Sequence, residues 1–291
     1  MSVEIIQQKL LAYECKTVLD QENALKEIAQ EIALMALSRS GFFRVAAFQG
    51  GTCLRILYGL ERFSEDLDFV LDKPDAGFNW DIFIKSMRDE FSVYGYALEV
   101  TSKAKLDKPV RTAFLKADSE GGILMIKDAR TNRPKLQIKL EIDTNPPEGS
   151  RYELKYLDFP LAYSIQTQDL PSMFASKTHA LLCRNHIKGR DWYDFLWYVS
   201  RKTLINFSLL GSAINQAGPW AGKYEKVTPE WLIKELRVKI NSIDWDVAKK
   251  DVSRFLRPRE LSTLDLWAKA FFESRIDKLS EYIKDRETNE I

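Results

Sequence analysis

The sequence predicts an α/β (α+β) protein, a small mixed sheet flanked by helices and followed by an all-helical domain. Three observations lead there. Phe42 to Phe48 is a short apolar run between Gly41 and Gly50-Gly51, the pattern of a buried strand. Lys135 to Asp143 alternates strictly, with Leu136, Ile138, Leu140 and Ile142 on one face and Gln137, Lys139, Glu141 and Asp143 on the other. After about Leu170 no segment alternates, and helical periodicity takes over.

Taken in order, Val3 to Leu37 reads as helix, because Leu25, Ile28, Ile32 and Met35 share a face. The apolar run at Phe42 to Phe48 is the first strand. Thr52 to Leu60 starts at the glycine turn and reads as a short helix. Leu67 to Leu71 is a second strand, ended by Pro74-Asp75. Trp80 to Phe91 suits a helix; Tyr96 to Val100 and stretches of Val110 to Ile126 suit strands. Asn145-Pro146-Pro147 ends the alternating strand. Helices then follow from Pro171, over Arg190 to Arg201, Pro229 to Ile240, Asp246 to Phe255 and Thr263 to Ile283. The expected division is a mixed domain over 1–165 and a helical domain over 166–291, with an active cleft between them and no flexible linker.

Bulk properties narrow the function classes. A length of 291 residues is comfortable for two cores. The composition, 45% hydrophobic and 29% charged, is that of an ordinary globular protein. A formal net charge of +1 offers no global attraction for nucleic acid or membrane, so any nucleic-acid contact needs a local basic patch. Cys15, Cys53 and Cys183 are odd in number and far apart, which suggests neither zinc site nor disulfide framework. No signal pattern opens the chain, and no apolar run approaches the roughly 18 residues a membrane span needs. The expectation is a cytoplasmic protein with buried free thiols and no membrane partner.

The chemistry concentrates in FQGGTCLRILYGLERFSEDLDFV. Gly50 and Gly51 allow a tight turn out of the strand. The helix opening at Thr52 points its free N–H groups and dipole into that turn, a seat for phosphate. About fifteen residues on, Asp66 and Asp68 flank Leu67 at a strand start. Residues i and i+2 of a strand share a face, so both carboxylates project together. Two such charges repel, and a divalent cation relieves the repulsion. Oxygen ligands of this kind suit Mg²⁺ (or Mn²⁺), held jointly by carboxylates and substrate phosphates. Glu141 or Asp143 on the alternating strand supplies a third carboxylate, completing a two-metal phosphoryl-transfer site. Each part has a plain structural reading: glycine pairs before helices are common, and Asp-x-Asp is often a solvated edge. Their order and spacing together carry the functional one.

Gly50-Gly51-Thr52-Cys53-Leu54-Arg55 with Arg62-Phe63-Ser64-Glu65-Asp66-Leu67-Asp68-Phe69 is similar to the signature of the nucleotidyltransferase-fold superfamily, and most resembles the AbiEii/AbiGii toxin family. These are toxin halves of bacterial abortive-infection toxin–antitoxin pairs, related to the MenT toxins. Further along, Ser176-Lys177-Thr178-His179-Ala180-Leu181 and Gly189-Arg190-Asp191-Trp192-Tyr193-Asp194-Phe195 resemble the family's lysine helix and its R-D-x-x-D element. The strand around Glu141 resembles its third-carboxylate strand, with Glu141 a better match than Asp143.

The resemblance implies that Asp66, Asp68 and Glu141 hold Mg²⁺ and that Lys177 contacts the nucleotide phosphates. It implies that Gly50, Gly51, Thr52, Ser64, Arg190 and Asp194 border the nucleotide, and that Asp191 orients Lys177 or activates the acceptor. Arg55 and Arg62 come within reach of phosphates, Arg62 the better placed because it lies just before the carboxylates. The structural alternative for Arg190, Asp191 and Asp194 is a helix cap with an Arg–Asp pair. The implied activity is transfer of a nucleotide from a nucleoside triphosphate to an acceptor hydroxyl, with the 3′ end of a transfer RNA as acceptor and a separately encoded antitoxin as restraint. A protein or small molecule such as an antibiotic is the alternative acceptor. A non-catalytic nucleotide-binding module is the alternative class. His179, His186, Trp192, Trp197 and Trp267 read as structural. Two basic clusters, Lys103, Lys105, Lys108 and Arg111, and Lys249, Lys250, Arg254, Arg257 and Arg259, are the places for RNA phosphate contacts.

Overall fold

A computed structural model describes residues 2–102, 119–128 and 134–289. The cluster at Lys103, Lys105, Lys108 and Arg111 lies outside the described residues. The chain divides into two compact units. One comprises Met1–Gly59, Phe63–Pro146 and Tyr152–Thr167; the other comprises Leu60–Arg62, Pro147–Arg151 and Gln168–Ile291.

The first unit opens with α1 (Ser2–Leu11) and α2 (Val18–Arg39). The sequence reads these as one helix. They are two because Thr17 and Asp20 form a reciprocal capping box that starts α2 afresh. The run expected as a strand from Phe42 begins instead with a 3-10 turn, Phe42–Arg44, entered through Gly41 at φ 80°. Strand β1 (Ala46–Gln49) follows, then α3 (Gly50–Tyr58), β2 (Asp66–Leu71), α4 (Asp81–Val93), β3 (Tyr96–Ser102), β4 (Ser119–Asp128), β5 (Pro134–Asp143), β6 (Tyr152–Leu157) and β7 (Tyr163–Gln168). The sheet has seven strands in the order β3-β4-β5-β2-β1-β7-β6. It is mixed: β2 runs parallel to β5 and antiparallel to β1.

The early 3-10 turn has a packing reason. It drops Phe42 into an aromatic cluster, edge-on to Phe69 (centroids 4.9 Å) and stacked on Trp80 (5.3 Å). Phe69 also meets Phe48 at 5.5 Å. Phe69 belongs to the same strand as Asp66 and Asp68, one residue out of phase. The strand therefore buries its aromatic face and turns its carboxylates to the other.

The second unit is built on helices: α5 (Leu170–Cys183), α6 (Gly189–Ser200), α7 (Phe207–Gln216), α8 (Pro229–Asn241), α9 (Trp245–Ser253) and α10 (Lys269–Asn289). Their starts are written in the sequence. Asp169, Asn206, Thr228 and Asp244 each accept backbone N–H bonds as N-caps. Helices α6 and α9 approach so closely that a Cβ on Gly189 would lie 1.9 Å from the Ala248 carbonyl oxygen. Trp192, Trp245, Trp267 and Phe272 fill the layer beside that contact. No helix among the described residues is long and apolar enough to cross a membrane.

Removing Phe69 tests the aromatic layer behind the carboxylate strand. Phe69→Ala is expected to lower unfolding free energy by about 3–5 kcal/mol in a urea titration. A loss below about 1 kcal/mol would mean that the cluster does not bear on stability.

Candidate active site

Strand β2 brings the sequence's carboxylates to a defined place. Its start is pinned to α2: the buried Gln30 amide donates to the Ser64 carbonyl at 3.1 Å, and Lys26 pairs with Glu65 at 3.0 Å. In the parallel register of β2 with β5, Asp68 stands beside Glu141 and Asp66 beside Lys139. Neighbours across a parallel ladder share a face, so Asp66, Asp68 and Glu141 project together. Asp143 stands beside Val70, is 7% exposed, and accepts the Asn145 N–H at 3.2 Å. The register thus aligns Glu141, not Asp143, with the Asp-x-Asp pair.

The glycine turn meets these carboxylates directly. Gly50 has φ 82°, a conformation that favours glycine. A Cβ there would also fall 2.6 Å from Asp68 Oδ2. The glycine is required twice, once by the backbone and once by Asp68. Gly51 follows in the first turn of α3, where Gln49, the N-cap, gives no side-chain cap bond. Thr52 is buried and donates its hydroxyl to the Asp66 carbonyl, tying α3 to β2. Arg55 pairs with Glu27 at 2.7 Å and lies over the Phe63 ring, which keeps it on the α2 side.

Sequence reasoning passed over Lys139. Its ammonium sits 2.7 Å from Glu141 Oε1. Burial works against the charged lysine, but Glu141, Asp66 and Asp68 outweigh it and raise its pKa. The signal was legible: Lys139 precedes Glu141 by two on an alternating strand. Among the described residues no three His, Cys, Asp or Glu side chains converge as a ready-made metal cluster. The donor chemistry nonetheless fits a hard divalent cation.

The second unit holds its own charge cluster. Arg62 forms a bidentate pair with Asp194, 2.6 Å from Nε to Oδ1 and 2.7 Å from Nη2 to Oδ2. Lys177 bonds both Asp194 (2.9 Å) and Asp191 (3.1 Å). Arg184 donates to Asp191 Oδ2. Asp191 and Asp194 lie on one side of α6, three apart, and both are buried. Burial opposes their ionisation. Lys177, Arg184 and Lys188 around Asp191, and Arg62 and Lys177 around Asp194, nevertheless hold both carboxyls below the usual range. Lys188 is lowered by burial and by the cations beside it, Asp191 opposing them. Arg190 instead lies over the Phe255 ring at 4.2 Å. Arg62, at 2% exposed, is committed to Asp194.

Among residues read as structural, His179 bonds the Ala217 carbonyl at 3.0 Å, and Trp192 and Trp267 are core. Trp197 is only half-buried. Cys53 and Cys183 are buried, whereas Cys15 is partly exposed. In the second basic cluster Lys249 pairs with Asp246 and Arg259 with Glu61 and Glu260, so much of its charge is met locally.

Residues 32–273 match the family described as nucleotidyl transferase AbiEii toxin, type IV TA system. The chain belongs to the AbiEii family. It is therefore a nucleotidyltransferase toxin of a type IV toxin–antitoxin system. The AbiEii family implies a nucleoside triphosphate substrate and an antitoxin partner, and nucleotidyltransferases generally use a divalent metal. Among solved structures, the crystal structure of JHP933 from Helicobacter pylori is similar over 92% of this chain and 95% of that one, at 17% identity and a TM-score of 0.52. That likeness is one of fold. A second H. pylori structure, of a candidate nucleotidyltransferase, covers 88% and 90% at 18% identity, with a TM-score of 0.46. No curated protein matches the chain.

Two outcomes test this geometry. Asp194→Ala strands Arg62 and Lys177 as buried cations and is expected to cost about 3–5 kcal/mol at neutral pH. The carboxyls of Asp191 and Asp194 have depressed folded-state pKa values, so the stability they contribute is complete above the ordinary carboxylate pKa of about 4. It is lost as pH falls below that value toward the folded-state ones. Urea midpoints from pH 7 to 3 should therefore fall more steeply for the native protein than for Asp194→Ala. Parallel curves would mean that Asp194 does not carry the linkage.

Proposed function

We propose that this AbiEii protein transfers a nucleotidyl group from a nucleoside triphosphate to the 3′ end of a transfer RNA, using Mg²⁺ (or Mn²⁺), and that the modification blocks translation and arrests growth. The observation that carries the reading is the alignment of Asp66, Asp68 and Glu141 on one sheet face beside the uncapped first turn of α3. The RNA acceptor rests on the family resemblance.

In this reading Asp66, Asp68 and Glu141 hold the metal. When bound, it supplies Lewis-acid stabilisation of charge on the phosphates and the attacking oxygen. The acceptor hydroxyl gives its proton to solvent as its oxygen bonds to the α-phosphorus, the bond from that phosphorus to the bridging oxygen breaks, and pyrophosphate leaves. The N–H groups of Gly51 and Thr52 at the start of α3 seat phosphate oxygens. Ser64 borders the nucleotide, and Gly50 keeps the turn close to Asp68. Lys177 supplies a positive charge to the nucleotide phosphates, as the resemblance implies. Of the two roles open to Asp191, orienting Lys177 is favoured, because a carboxylate held below its usual range by three cations is a poor proton acceptor. Arg62 acts one step further back, fixing Asp194, which in turn holds Lys177. Arg190 and the rest of α6's first turn form the wall against which these groups are set.

The test is incubation of purified protein with total RNA, Mg²⁺ and each of the four α-labelled nucleoside triphosphates. Label is expected in transfer-RNA-sized species, and Asp66→Ala/Asp68→Ala should reduce it by about a thousandfold or more. Induced expression should arrest growth, and Asp68→Ala should relieve the arrest. Label appearing in protein or in an added antibiotic, with none in RNA, would move the acceptor to that class. No transfer to any acceptor would leave the chain a nucleotide-binding module.

A further inference from the structure

The carboxylate face carries a cation of its own. Lys139 and Glu141 are two apart on β5, and Asp66 and Asp68 stand beside them in register on β2. These four side chains therefore share one face, which Asp143 joins further along β5 beside Val70. The ammonium has closed on Glu141, the carboxylate aligned with Asp68. Carboxylates on adjacent strands repel, and with no counter-charge the face would be under electrostatic strain. A lysine suits the part of a removable counter-charge. It is a point charge on a flexible four-carbon stem, able to swing away without dragging the backbone.

We propose that Lys139 is a tethered counter-ion of the carboxylate face, holding Asp66, Asp68 and Glu141 together while no metal is bound and releasing Glu141 when a divalent cation binds. The inference rests on the reading of those carboxylates as the metal site. It makes Lys139 a positioning residue that competes with the metal. The intact protein accordingly binds a divalent cation more weakly than the same carboxylates would alone, while its metal-free form is the more stable for it.

The experiment is Mn²⁺ binding to the purified full-length protein, followed by titration calorimetry and by the electron paramagnetic resonance of free Mn²⁺. Thermal unfolding is recorded in parallel with and without chelator. Lys139→Met should bind Mn²⁺ about tenfold more tightly, the effect of removing one charge a few ångströms from a dication in a partly hydrated site. Its melting temperature should fall in chelator and recover when Mn²⁺ is added. Lys139→Arg, which keeps the charge, should bind within about twofold of the native protein. Lys139→Gln serves as a second neutral variant should the methionine not fold. If the neutral variants bind Mn²⁺ no more tightly than the native chain, while Asp68→Ala abolishes binding, Lys139 is no competitor and the proposal is wrong, with the metal site intact. Equal tightening in Lys139→Arg would also defeat it, because charge would not be the cause. If native and neutral proteins alike fail to bind Mn²⁺, or Asp68→Ala changes nothing, the metal-site reading fails and takes this proposal with it.

Discussion

Asp66, Asp68 and Glu141, held side by side on one sheet face, repel one another, and much of the first unit is arranged to keep them there. The parallel pairing of β2 with β5 fixes the alignment, since a slip of one residue would send Asp66 and Asp68 to the opposite face. That register is in turn locked by Phe69, whose burial among Phe42, Phe48 and Trp80 would be lost in the same slip. Gln30 and Lys26 hold the residues just before the strand, and Thr52 ties its first carbonyl to α3. Hydrophobic burial on one face of β2 thus stabilises an unfavourable charge arrangement on the other.

The second unit solves the converse problem. Asp191 and Asp194 are buried and would resist ionisation alone, yet they are surrounded by more cations than they can neutralise: Arg62, Lys177, Arg184 and Lys188. A buried ion network of this kind adds little net stability over a well-packed apolar core, because desolvation offsets most of the attraction. What it does provide is orientation. Lys177, bonded to two fixed carboxylates, keeps its ammonium in one place, whereas an unpaired lysine would sample many rotamers.

Much of this was legible in the chain, and the omissions have physical causes. The Gly-Gly turn, the Asp-x-Asp strand and the alternation of Lys135 to Asp143 are local patterns, so their elements emerged near the expected places. Strands β6 and β7 were not read: Tyr152 to Leu157 alternates, but it is an edge strand whose Leu154 and Tyr156 stay exposed, so its alternation marks no buried face. Arg62 was read by its neighbours in sequence, next to the carboxylates. Its partner, Asp194, is 132 residues away, and nothing local announces a contact of that separation. The same blindness hid the assignment of Leu60–Arg62 and Pro147–Arg151 to the second unit, made by Arg62 on Asp194 and by the Asn206 amide on the Gly149 carbonyl. The choice between Glu141 and Asp143, open on periodicity, is a matter of register, which only pairing defines.

Each unit gathers its charges into a local cluster. On the sheet face Asp66, Asp68, Glu141 and Asp143 stand with Lys139, an acidic cluster among the described residues. Around α6 two carboxylates meet four cations, a surplus that calls for anions. A near-neutral protein can thus carry strong local fields of both signs without a strong overall one, because it segregates its charges rather than accumulating them.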